Sequence, residues 1–125
     1  MSDRAWEHAR MKFLLLIYGD AAAEAAMTDD ERKAIVDEHV EFRRHLAMRS
    51  PDVIGEALAL PEAGRTVRFS GDGMLVTDGP FLETKEALGG FYVLQAGSIE
   101  EAAELVRPIP RSPGLVAEIR PIVDM

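Results

Sequence analysis

The longest apolar run in this chain is Phe13-Leu14-Leu15-Leu16-Ile17-Tyr18. A strand over residues 12–18 would be apolar on both faces, which predicts burial on both sides. The pattern then changes period. Ile35, His39, Phe42 and Leu46 recur at helical spacing, with Val36 beside them, while Asp37, Glu41 and Arg44 fall on the far side. Thr28 followed by Glu31 is a capping box, so the helix starts there and runs to about Arg49, before Ser50-Pro51. His39 lies in the middle of the apolar stripe and His45 near its edge.

Between these elements, residues 19–27 read as an alanine-rich connection. Residues 53–60 predict a second strand, bent around Gly55, and Pro61-Glu62-Ala63-Gly64 a turn. Residues 66–70 and 74–77 predict a hairpin around Gly71-Asp72-Gly73. Residues 83–88 read as a short helical turn. The strand over residues 90–96 puts Phe91, Val93 and Gln95 on one face and Tyr92, Leu94 and Ala96 on the other. Ser98 with Glu101 caps a second helix, whose inner stripe is Ile99, Ala102, Ala103 and Val106, and Pro108 and Pro110 end it. Residues 116–123 form the last strand, with Pro121 suited to an edge.

This order predicts an α+β fold, the ferredoxin-like βαββαβ plan with an extra β-hairpin. Two helices cover only one face of such a sheet. A second copy of the same sheet is the simplest cover for the other, so the expected assembly is a homodimer.

Composition narrows the function classes. The 125 residues suit one domain, read here as residues 11–125, with residues 1–10 as a mobile N-terminal extension ahead of a second natural start at Met11. There is no cysteine, which removes disulfides, thiolate nucleophiles and cysteine metal sites and fits a cytoplasmic location. A net charge of -8 argues against nucleic acid or an anionic membrane surface as partner. No apolar run is long enough to span a bilayer.

Candidate chemistry centres on Asp78-Gly79-Pro80-Phe81, directly behind an apolar strand. Asp78 can bond forward to its own backbone, Gly79 can take positive φ, and Pro80 holds Gly79 out of the α region. A carboxylate is thus held at a strand end by a stiff turn. If it meets His39, the pair could do acid–base chemistry near neutral pH. The alternatives are a satisfied core histidine and an ordinary turn aspartate. Glu83 and Lys85 could line a pocket mouth or form a solvated ion pair. Tyr18 and Tyr92 could offer hydroxyls at strand ends or serve as plain core or interface aromatics. No metal site or phosphate loop is apparent, and no cofactor is expected.

The opening strand, the helix carrying His39, the block from Leu75 to Tyr92 and the closing strand together resemble the YCII-related family, in its DGPF branch. The resemblance implies a dimeric α+β barrel with two sheets face to face, and a site around His39 and Asp78. With it go Tyr18, Gly79, Pro80, Phe81, Glu83, Lys85 and Tyr92 as ligand-binding candidates for an unknown small molecule. Some dimeric α+β barrels bind haem, but no residue here stands out as an axial ligand. The resemblance also implies a second reading, a regulatory or interaction protein associated with a sigma factor of the extracytoplasmic-function type.

Overall fold

The computed structural model describes residues 10–124. The expected N-terminal extension thus lies, except for Arg10, outside the described residues. The elements are β1 (Met11–Asp20), α1 (Ala21–Ala25), α2 (Asp29–Ala47), β2 (Ile54–Ala57), a 3-10 turn (Pro61–Ala63), β3 (Arg65–Ser70), β4 (Gly73–Asp78), β5 (Glu86–Ala96), α3 (Ile99–Leu105) and β6 (Val116–Pro121). Four strands form one antiparallel sheet in the order β2-β5-β1-β6, and β3 pairs with β4 as a separate two-stranded ladder. With the β3–β4 insertion set aside, the sheet is the ferredoxin-like one, and the fold is α+β.

The core lies on one side of the sheet. Phe13, Leu15 and Ile17 of β1 and Tyr92, Leu94 and Ala96 of β5 pack against Phe42 and Leu46 of α2 and Ala102 and Leu105 of α3. Each fully buried large side chain contributes roughly 1.5–3 kcal/mol. The two-residue period of the strands and the helical spacing of α2 meet here, as the sequence pattern requires. Helix α2 starts as expected: Thr28 Oγ1 accepts from the Glu31 amide at 3.1 Å, and Glu31 Oε1 accepts from the Thr28 amide at 2.8 Å. No helix among the described residues is long and apolar enough to cross a membrane.

Three local expectations change. Residues 83–88 are not helical: 83–85 are irregular, and 86–88 open β5. Glu86, Ala87 and Leu88 pair with Asp20, Gly19 and Tyr18, and the Lys85 carbonyl accepts from the Ala21 amide at 2.8 Å. Pairing with a long neighbouring strand outweighs weak local helix preference. The alanine-rich connection contains α1, capped by Asp20 Oδ1 accepting from the Ala23 amide at 2.9 Å. In α3 the buried residues are Ala102 and Leu105, while Ile99 and Ala103 face solvent, because the helix has only two turns and rests on the sheet by its C-terminal half.

The far face of the sheet has no covering element among the described residues. Leu14, Leu16, Phe91 and Val93 lie there half-buried, flanked by the exposed Ile54 and Val116.

Candidate functional site

Two distinct places hold the predicted site residues other than Lys85. The first is on the helix side of the sheet. His39 projects from α2 toward β5, where its Nδ1 lies 2.9 Å from the Tyr92 hydroxyl. Phe42 completes the group, edge-on to both rings, with centroids 6.0 Å from His39 and 5.4 Å from Tyr92. Tyr92 is buried and sits mid-strand, opposite Leu15 on one side and Gly55 on the other. It is therefore not at a strand end, as the sequence had suggested.

Gly55 explains how the ring fits. A Cβ at that position would overlap Tyr92 Cδ1 and come within 2.5 Å of Cε1. The glycine that bent the expected strand is the one that lets β2 run alongside an aromatic ring. Arg43 ties the same corner together by donating to the Gly55 carbonyl at 3.3 Å and the Val53 carbonyl at 3.4 Å.

Electrostatics follow from this packing. Burial lowers the His39 pKa below its ordinary value, and the nearby Glu38 only partly opposes it. Burial raises the Tyr92 pKa, with Arg43 opposing. The neutral forms of both rings are thus favoured near neutral pH, and the His39 tautomer decides which of the two groups donates in the bond between them. A carboxylate partner would have shifted His39 the other way.

The second place is the turn after β4. Gly79 has φ of 84° and is buried; its amide donates to the Gly64 carbonyl at 2.9 Å, and its carbonyl accepts from Thr66 Oγ1 at 2.8 Å. The stiff turn expected from Gly79 and Pro80 is present. Asp78, however, does not turn back on its own backbone. Its side chain is 89% exposed and pairs with Arg65 Nε at 3.2 Å across the β3–β4 ladder.

Below this turn lies an open cleft of about 1200 Å³. Tyr18, Asp78, Gly79, Pro80, Phe81 and Glu83 are among its lining residues. Tyr18 stands on the far face of the sheet, and its hydroxyl reaches Glu118 Oε1 at 3.5 Å. Among the described residues, four acidic ones line the cleft, Glu62, Asp78, Glu83 and Glu86, and no basic one does. The acidic lining favours neutral or cationic groups over anions. Lys85 and Tyr92 are not in its wall.

The structure therefore brings His39 together with Tyr92 and Phe42, and Asp78 together with Arg65. Among the described residues, no hydrogen bond or ion pair joins His39 to Asp78, and no group of three or more His, Asp or Glu side chains is arranged to hold a metal ion. The wall formed by Leu58, Leu60 and Glu62 is not apparent in the sequence, where residues 53–60 read as an ordinary strand and 61–64 as a turn. The Gly64 carbonyl that anchors Gly79 is likewise silent in the sequence.

Comparison with known proteins adds two findings. The family model described as the YCII-related domain matches residues 11–125. An uncharacterized protein of Rhizobium meliloti (strain 1021) is 28% identical over 114 residues, covering 90% of this chain and 92% of that relative.

Proposed function

This chain belongs to the YCII-related family, and from that premise we propose that it is a homodimer that binds a small molecule in the cleft beneath the Asp78–Phe81 turn. The observation that carries the reading is the cleft itself. A stiff turn, the aromatic Phe81, Tyr18 and four acidic residues line a space large enough for a metabolite. The Asp78-Gly79-Pro80-Phe81 run supports the DGPF branch, and the absence of cysteine fits a cytoplasmic protein. The dimer rests on the half-buried apolar residues of the far sheet face.

An acid–base enzyme using His39 and Asp78 is the more specific version. Its support is the weaker part, because His39 is engaged with Tyr92 outside the cleft wall. Binding is therefore the primary reading, with Asp78 and Tyr18 as the polar groups that would touch the ligand.

A second reading is favoured by one observation. One face of the β3–β4 ladder exposes Phe69 at 75% and Met74 at 65%, with Val67 and Val76 beside them. An exposed apolar patch of this kind suits protein docking, and the resemblance suggests a sigma factor of the extracytoplasmic-function type as partner.

A thermal-shift screen with a metabolite library separates the two, since a ligand of the folded state raises Tm by mass action. Binding in the cleft predicts hits that Phe81→Ala and Asp78→Asn abolish. If no compound shifts the protein while a purified sigma factor binds the wild type and not Phe69→Ser, the small-molecule reading gives way to the second.

A further inference from the structure

The far face of the sheet is laid out in rows across the strands. One row holds Ile54, Val93, Leu14 and Arg120; the next holds Glu56, Phe91, Leu16 and Glu118. The apolar residues are central, and the charges sit on the edge strands β2 and β6. Such a face can meet a second copy of itself in two ways that keep the strands aligned.

In one arrangement the two-fold axis runs across the strands, between the two rows. Each edge strand then lies over its own counterpart, running the opposite way, and the two rows exchange places. Arg120 comes over Glu118 of the partner subunit, twice by symmetry. In the other arrangement the axis runs along the strands. Rows then stay level while β2 lies over the partner's β6. Glu56 comes over Glu118 of the partner subunit, again twice, so that like charges meet at both edges. Juxtaposed like charges are costly at an interface, whereas opposite charges set its register.

We propose that the far faces of two copies pack with their strands antiparallel, in a register set by Arg120 of each copy against Glu118 of the partner subunit. This rests on the homodimer proposed above and names its geometry. Its consequence for function is spatial. The cleft lies at the Tyr18–Leu88 end of the sheet. Antiparallel stacking sends the two clefts to opposite ends of the interface, where each works alone. The rejected arrangement would bring them side by side.

The test is charge reversal read by sedimentation equilibrium at low salt, with circular dichroism to check folding. Both positions are exposed in the single chain, so the fold should tolerate the changes. E118R and R120E are each expected to weaken dimerisation on the order of 10- to 100-fold, and the double variant E118R/R120E to restore it to near the wild-type level. Strengthening by E118R would overturn the proposal, because only the level arrangement sets that position against Glu56. So would two neutral single variants, or a double variant as weak as the singles. These three results leave the dimer itself standing. A wild type that is monomeric at micromolar concentration removes the dimer and the register together.

Discussion

Gly55→Ala is a small change with a large expected effect. The new methyl would overlap Tyr92 Cδ1, come within 2.5 Å of Cε1, and lie 3.1 Å from the Phe91 carbonyl oxygen. Ordinary carbon contacts begin near ~3.5 Å, so the ring must retreat by about 1 Å or β2 must pull away. Neither movement is free. Phe42 stands edge-on to the ring, His39 holds its hydroxyl, and β2 pairs with β5 from Ile54 to Ala57. Overpacking of this kind costs roughly 1–3 kcal/mol. At about 4 °C per kcal/mol for a domain of this size, Tm should fall by roughly 4–12 °C. Thermal melts followed by circular dichroism measure it. A second experiment isolates the cause: in a Tyr92→Leu background the methyl has room, so Gly55→Ala should cost much less there. A melt of Gly55→Ala within about 1 °C of wild type would refute the claim that this glycine exists to seat the ring. Equal costs in both backgrounds would place the damage in the β2 backbone instead.

Two further outcomes follow from the same geometry. His39 has its folded-state pKa lowered by burial, so the unfolded chain takes up its proton first as pH falls; its contribution is complete above the ordinary value of 6.5 and lost as pH drops through the folded-state value. Denaturant melts at pH 8 and pH 5 should show that loss, His39→Gln should shrink it, and a pH-independent difference between the two proteins would contradict the assignment. Gly79→Val should destabilise by about 1–3 kcal/mol, since a β-branched residue is strained at φ of 84° although no atom lies within 4 Å of the new Cβ; Pro80→Ala should cost less, and equal melts for Gly79→Val and wild type would remove the strain argument.

The architecture was legible because its signals are periodic. The apolar run at Phe13–Tyr18, the stripe ending in Phe42 and Leu46, and the Thr28–Glu31 box are local patterns with few alternative meanings. The turn at Gly79 was legible for the same reason, since Gly-Pro restricts the backbone wherever it stands. Partners across the fold were not. Nothing near His39 in the sequence points to Tyr92, 53 residues away, and nothing near Asp78 points to Arg65, which it meets only because the hairpin register sets them opposite. The far wall of the cleft was missed because its residues carry no pattern of their own. Residues 86–88 were misread for a related reason: local preference was weak, and a strand ten residues long lay waiting to pair with them.

The β3–β4 ladder shares no strand with the main sheet. Two strands alone are marginal in water, and nearly every residue of this pair is exposed. Its amides therefore belong to a lower tier of hydrogen-exchange protection than those of β1 and β5, opening without the core. When the ladder opens, the bonds from Gly79 to Gly64 and Thr66 lose their frame, and the cleft wall goes with them. The shape of the cleft is thus governed by a local equilibrium separate from global unfolding. A ligand bound in the cleft, as proposed, would also act as the clasp of a small, independently melting unit.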